Sequence, residues 1–237
     1  MKMKGKYGEI VRSDRTFDVI AAVLGCIIIV IVMVPLIFVA AASFSDPDLV
    51  IRGEVLLWPK GLTTKAYTMV FENKDIWRGF RNTMFYTALG TIISVTLTVL
   101  AAYPLSRKNL RGRNFIMMAV LFTMYFSGGM VPTYLLVKDL GMYNTIWAIL
   151  IPNALSTYTL IVAKTFFENS IPEELYESAR LDGCGNISML LRIVLPLSKA
   201  ILAVLVLYYA VAIWNSYFDA LIYLKDSSLH PLQIVLR

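Results

Sequence analysis

Long uncharged runs separated by short charged segments dominate the sequence. The first run covers residues 19–42, which are 24 consecutive uncharged and mostly apolar positions, with Pro35 inside it. As a helix it would be about 36 Å long, which exceeds the roughly 30 Å hydrocarbon core of a bilayer. We therefore expect a transmembrane span, which Pro35 kinks. The alternative is a signal peptide cleaved after the alanines at 40–42, but the apolar region of a signal is shorter, about 7–15 residues.

Four further apolar runs predict four further spans, so the expected fold class is an all-α polytopic membrane protein with five visible spans. The runs cover residues 83–103, 115–131, 144–163 and 200–218. In the third run, Ser127-Gly128-Gly129 and then Pro132 should break the helix. Residues 132–142 are therefore expected to form a separate interfacial segment.

The composition supports a membrane protein. Hydrophobic residues make up 58% of the chain and charged residues 16%, whereas soluble domains average about 45–50% and 25%. The net charge of +6 fits the excess of Lys and Arg in cytoplasmic loops. No basic run is interleaved with base-stacking aromatics, so nucleic-acid binding is not expected.

The distribution of Lys and Arg sets the expected orientation. Both the tail at residues 1–18 and the loop at 107–113 are rich in basic residues, and both should be cytoplasmic. Residues 43–82 then form an outer loop, residues 164–199 form an inner loop, and residues 19–237 constitute one membrane domain.

The chain lacks the side chains that most catalytic sites need. It has a single histidine, His230, and two cysteines, Cys26 and Cys184, so neither a metal cluster nor a nucleophile with a histidine base is expected. No phosphate-binding loop of the G-x-x-x-x-G-K-[ST] type occurs. We expect no catalysis, metal or cofactor on this chain.

The inner loop carries the signals of two short helices and a turn. Glu173 and Glu174 follow Pro172 and favour a helix start, and Asp182-Gly183 favours its end. A second helix should begin at Asn186 and end at Pro196. Its apolar face is expected to consist of Ile187, Leu190, Leu191 and Val194. Periodicity alone favours an ordinary amphipathic connector on the membrane surface.

The full spacing within this loop is more specific. Glu177-Ser178-Ala179, Gly183, Ile193 and Leu195-Pro196 resemble the E-A-A-x3-G-x9-I-x-L-P loop of ABC importer permeases, with Ser178 in place of the middle alanine. The resemblance implies ATPase coupling by a set of loop residues. These are Glu177, Ser178, Ala179, Asp182, Gly183, Ile193, Leu195 and Pro196, of which the last two should fix the entry into the fifth span.

The resemblance extends over essentially the whole chain. Residues 103–107, 124–134 and 214–219 are similar to the carbohydrate-uptake permeases, which are MalG-like, and to their Gram-positive LplC/YtcP-like subgroup. This implies a MetI/MalG-like helix bundle, normally of six spans, so we expect a chain that stops before the sixth.

The same family implies several partners and a location. A second permease subunit, two ATPase subunits (or a homodimer) that carry ATP and Mg, an external solute-binding lipoprotein and membrane lipid are expected. The implied location is the plasma membrane of a Gram-positive bacterium, with the N-terminus in the cytoplasm.

Several polar and aromatic residues near span ends are candidates for a sugar path, because they combine flat apolar faces with hydrogen-bonding groups. They are Tyr125, Asn153, Trp214, Asn215, Tyr217 and Asp219. Interfacial anchoring and bonding back to the helix are the alternatives. The function expected is an oligosaccharide importer permease. A non-sugar solute, an ATP-independent secondary transporter and a scaffold without transport are the other hypotheses, although ion coupling would need charges that the span cores lack.

Overall fold

The computed structural model describes the backbone of residues 4–237 and the side chains of residues 15–237. Within these residues every regular element is a helix, which confirms the all-α class. The chain divides between Asn73 and Lys74 into two compact units, and each is described by itself.

The N-terminal unit consists of one long helix and two short ones. Helix α1 is Lys4–Ser43, α2 is Pro47–Ile51 and α3 is Lys65–Glu72. From Arg15 to Ser43, α1 is long and apolar enough to cross a membrane, as predicted for the first span. Residues 4–18 belong to the same helix, so no helix end separates the expected tail at 1–18 from the first span. Residues 1–3 lie outside the described part.

Ser45 fixes the turn that follows α1. Its hydroxyl donates a hydrogen bond to the Ala41 carbonyl at 2.6 Å and accepts one from the Lys60 amide at 3.0 Å. The rings of Phe44 and Tyr67 lie with their centroids 5.2 Å apart. These contacts close the loop after the first span back onto the end of α1.

The second unit is organised around α4, Lys74–Ser106, which matches the second predicted span. Its 33 residues give a helix of about 50 Å. Helices α8, Thr157–Ser170, and α12, Lys199–Trp214, pack along its C-terminal half. Ala102, Leu160 and Leu205 belong to the largest apolar cluster of this unit and are almost completely buried.

The Tyr209 hydroxyl joins these three helices by hydrogen bonds. It lies 2.6 Å from Thr98 Oγ1 on α4, 2.6 Å from Thr159 Oγ1 on α8 and 3.2 Å from the Ser156 amide. Thr159 Oγ1 donates to the Ser156 carbonyl at 2.9 Å, so it accepts the Tyr209 proton. Thr98 then donates to Tyr209, and the phenol oxygen makes one donated and two accepted bonds.

The third predicted span is broken, as expected. Helix α5, Arg113–Tyr125, and helix α6, Met130–Asp139, are bent by 113° relative to each other. Gly129 allows the break because it adopts a φ of +85°. The span helix ends at Tyr125, six residues before the predicted end at 131, and α6 is the predicted separate segment.

The fourth predicted span, at residues 144–163, is wrong as a continuous helix. The chain forms the short α7, Trp147–Leu150, and resumes helix only at Thr157, where α8 begins. Pro152 lies in the interruption and has no amide proton for a helical hydrogen bond. Charge-free sequence alone does not reveal such a break.

The inner loop and the fifth span also differ from a simple helix pair. The loop contains α9, Glu173–Leu181, α10, Asn186–Met189, a π-helical segment, Leu190–Val194, and α11, Leu195–Leu197. The chain then bends by 85° into α12, which ends at Trp214 rather than at 218. Within the described part, α1 and α4 are each long enough to span a membrane, and counting each bent pair as one span gives four rather than five.

The C-terminal segment packs on the N-terminal half of α4. Helix α13, Phe218–Tyr223, is followed by a 3-10 turn, Ser227–Leu229, and by α14, Leu232–Val235. Thr83 Oγ1 accepts a hydrogen bond from the Leu232 amide at 2.8 Å, and the Tyr86 hydroxyl donates one to the Leu229 carbonyl at 2.8 Å. Gly79 permits this approach, since a Cβ there would lie 3.1 Å from Leu232 Cα.

Tyr209→Phe should destabilise the second unit. The change leaves the Ser156 amide and the Thr98 and Thr159 hydroxyls without their common partner, at an expected cost of about 1–3 kcal/mol. For a chain of this size the unfolding midpoint in detergent should fall by about 2–4 °C per kcal/mol. Tyr208→Phe is the control, because Tyr208 is the adjacent residue and is 49% exposed. Equal midpoints for the two variants would contradict the assignment.

Candidate functional site

The predicted turn in the inner loop is present. Helix α9 begins after Pro172, with Glu173 and Glu174 in its first turn, and it ends at Leu181. Gly183 follows with a φ of +76°, which a side chain would strain. The Cys184 amide donates to the Ala179 carbonyl at 2.8 Å, so the chain reverses tightly at the end of α9.

Helix α9 has one buried and one exposed face. Four of the predicted coupling residues are exposed to solvent on the helix and its turn: Glu177, Ser178, Asp182 and Gly183. Ala179 differs from that expectation, because it is 8% exposed and packs in the same apolar cluster as Tyr176. Ala179 therefore contributes to the packing of α9 against the core of this unit.

The predicted apolar face of the second helix is only half buried. Leu190 and Val194 are buried as expected, but Ile187 is 75% exposed and Leu191 is 58% exposed. Leu190 and Val194 are four residues apart, and so are Ile187 and Leu191. Each pair therefore forms its own stripe along the helix. The core covers the stripe of Leu190 and Val194, and periodicity does not tell which stripe is covered.

An outward apolar patch, defined here as Leu181, Ile187 and Leu191, therefore flanks the turn at Gly183. Leu181 is the most exposed of the three, at 89%. The remaining motif residues differ in exposure: Ile193 and Leu195 are partly buried against the core, and Pro196 is exposed in α11.

Arg107 joins the end of α4 to the buried face of α9. Its guanidinium carbon lies 3.2 Å from the centroid of the Tyr176 ring, and Nη2 donates to Glu173 Oε1 at 2.7 Å. Burial raises the pKa of the Tyr176 hydroxyl, while the Arg107 charge opposes this shift. In the sequence, Arg107 belongs to the basic loop after the second span and to the segment 103–107 that resembles the family. Neither pattern indicates its contact with α9.

The structure brings together two of the candidate path residues. Asn153 Nδ2 donates to Asp219 Oδ2 at 2.9 Å, across the interruption before α8 and the start of α13. Trp214 is the last residue of α12, and its ring packs edge-on against Phe80 with centroids 6.1 Å apart. The contact between Trp214 and Phe80 is at the end of α12 that is farther from the inner loop.

The other path candidates are engaged separately or exposed. Asn215 donates to the Val211 carbonyl of its own helix at 2.9 Å, and the Arg237 guanidinium lies 4.4 Å from the Tyr217 ring. Tyr125 is 77% exposed at the end of α5. Among the described residues, no group of three or more His, Cys, Asp or Glu side chains is placed to hold a metal ion.

Comparison with known proteins places these features in a family. Residues 94–229 match the family described as "Binding-protein-dependent transport system inner membrane component". Protein LplC of Bacillus subtilis (strain 168) is 41% identical over 226 residues, which cover 95% of this chain and 76% of LplC. The polygalacturonan/rhamnogalacturonan transport system permease protein YtcP of the same organism is also 41% identical, and the match covers 95% of this chain and 78% of YtcP.

A solved structure agrees with this match. It is the crystal structure of a bacterial ABC transporter involved in the import of the acidic polysaccharide alginate. One of its chains is 36% identical and superposes with a TM-score of 0.89, covering 95% of this chain and 80% of that one. The resemblance inferred from the inner loop is thereby confirmed.

Gly183→Ala should loosen the turn, because the left-handed conformation costs a residue with a side chain about 1–2 kcal/mol. Amide exchange of Cys184 should become about five- to thirtyfold faster, the ratio that corresponds to this energy. Gly185→Ala is the matched control: a Cβ meets nothing within 4 Å at either position, but only Gly183 has a positive φ. The same acceleration in both variants would show that the backbone conformation of Gly183 is not the constraint.

Proposed function

Because the chain belongs to the family of binding-protein-dependent transport system inner membrane components, we propose that the turn after α9 couples it to a separate ATPase. The chain is a permease subunit of such an importer and not itself an enzyme. The coupling residues would be those that the motif indicates, with Glu177, Ser178, Asp182 and Gly183 in contact with the ATPase. Ala179, Ile193 and Leu195 would support them from within, and Pro196 would fix the entry into α12.

The observation that carries this proposal is the two-sided construction of α9 and its turn. The inner face is buried through Tyr176 and Ala179, whereas the outer face is exposed and is flanked by the outward apolar patch. Isolated exposed leucines are ordinary on a protein surface. A compact turn with acidic side chains and several large exposed apolar residues is a surface suited to a protein partner.

The rigidity of the turn matters for coupling. A loop that moved freely would absorb the displacement of a partner, whereas a short helix closed by backbone hydrogen bonds moves as one body. Cys184 and Gly183 both donate to carbonyls of α9, at 2.8 and 3.0 Å, so the turn and the helix form one unit.

The substrate class proposed is an oligosaccharide. YtcP is described as a polygalacturonan/rhamnogalacturonan permease, and the transporter of known structure imports alginate. Asn153 and Asp219 offer hydrogen-bonding groups at the outer end of the unit, and Trp214 offers an aromatic face nearby in sequence. These side chains suit sugar hydroxyls and C–H faces. A non-sugar solute is the alternative.

The proposed assembly contains a second permease subunit, two ATPase subunits (or a homodimer) and an external solute-binding lipoprotein. This chain would bind no cofactor itself, and ATP and Mg would be bound by the ATPase. The excess of basic residues at 1–18 and 107–113 supports a cytoplasmic N-terminus. The similarity to Bacillus proteins supports a Gram-positive plasma membrane.

Leu181→Lys should weaken the proposed contact with the ATPase. Leu181 is 89% exposed, so the substitution leaves the packing of the subunit intact but places a solvated charge in an apolar contact. We expect less ATPase subunit to co-purify with the variant, and reduced uptake of labelled oligosaccharide delivered by the binding protein.

Leu62→Lys is the control, because Leu62 is 77% exposed in the loop predicted to be external. It should retain the ATPase and uptake. Unchanged co-purification and uptake with Leu181→Lys would contradict the proposed ATPase contact. Uptake of amino acids or peptides, but not of oligosaccharides, by the unmodified complex would exclude the proposed substrate class.

A further inference from the structure

Arg107 is a buried cation at the point where the membrane helix α4 meets the inner loop. It directly follows the last residue of α4, Ser106, and is 8% exposed. A cation held out of water is costly unless other groups compensate its charge. Here two groups of α9 do so, the Tyr176 ring and the Glu173 carboxylate.

The two contacts differ in kind. Tyr176 is 1% exposed, so the guanidinium stacks on its ring away from water, where a cation–π contact is strongest. The Glu173 side chain is 46% exposed, so solvent screens that ion pair. The stacked contact therefore contributes more to holding Arg107, and the ion pair mainly orients the guanidinium plane.

The spacing of the two partners makes this junction directional. Glu173 and Tyr176 are three residues apart on α9, so both lie on the same face of the helix, one turn apart. A single side chain that contacts both restricts rotation of α9 about its axis as well as its sliding past α4. Ala179 continues the same face and is also buried.

The junction also has a continuous connection into the bundle. Arg107 directly follows Ser106, the last residue of the helix whose Thr98 is bonded to Tyr209 of α12. Along an α-helix, Thr98 lies about 12 Å from Ser106. A displacement of α9 that Arg107 passes to α4 therefore reaches a point where α4, α8 and α12 are joined by hydrogen bonds.

We propose that Arg107 is a positioning residue which transmits movement of the coupling helix α9 to α4, through its stack on Tyr176 and its ion pair with Glu173. The inference rests on the proposed coupling function of α9. It predicts that loss of the stack separates ATP hydrolysis from transport, without separating the ATPase from the membrane subunits.

A second ion-pair group in the same region provides a matched control. Arg113 bonds Glu168 at 2.8 Å, and Lys164 bonds the other oxygen of Glu168 at 2.8 Å. This group joins α5 to α8 and does not include α9. Arg113→Gln removes a cation of the same loop and leaves the junction at Arg107 in place.

The test measures solute taken up per ATP hydrolysed by the complete complex in proteoliposomes, with binding protein and labelled oligosaccharide. In Arg107→Gln this ratio should fall by at least about fivefold, the lower end of ordinary coupling effects, while the ATPase subunits still co-purify.

Tyr176→Leu should lower the ratio by the same factor, whereas Tyr176→Phe should keep the ratio of the unmodified complex because it keeps the ring. Arg107→Lys should be intermediate, since it keeps the charge but loses the planar stack. Arg113→Gln should match the unmodified complex.

An uptake ratio in Arg107→Gln equal to that in Arg113→Gln would overturn the inference. If Arg107→Gln does not assemble, Arg107→Lys and Tyr176→Leu decide: a lowered ratio supports the inference, and an unchanged ratio overturns it. An unmodified complex that shows no binding-protein-dependent uptake would overturn the proposed function, and this inference with it.

Discussion

The packing of α8 and α12 against α4 determines the arrangement of the second unit. Its polar centre is the Tyr209 hydroxyl, which bonds to Thr98 and Thr159 and so fixes the relative depth of three helices. In an apolar surrounding such groups need partners within the protein, because water is not available to replace them. The two threonines thus contribute to the packing of the bundle.

This packing determines where the two ends of the unit are. At one end, α4 finishes at Ser106, and Arg107 meets the buried face of α9. At the other end, Thr83 and Tyr86 hold the C-terminal segment, and Asn153 meets Asp219. The proposed ATPase contact and the proposed sugar contacts are therefore at opposite ends of α4 and α12.

Sequence reasoning succeeded where the determinants are local. Gly183 ends α9 because of its own backbone freedom, and Gly129 breaks the third span for the same reason. It failed where tertiary packing decides. The absence of charge at 144–163 did not reveal the interruption at Pro152, and the helical period did not show that Ile187 faces outward. Arg107 was missed as a junction residue, because its partner Glu173 is 66 positions away.

Cross-linking can detect the proposed contact between the turn after α9 and the ATPase. With Cys26 and Cys184 replaced by serine, Asp182→Cys would be the only thiol of this chain. In the assembled, transport-active complex, a short bifunctional reagent should link this position to the ATPase subunit. Leu62→Cys should give no such product. A product from Leu62→Cys, or none from Asp182→Cys while transport is intact, would contradict the account.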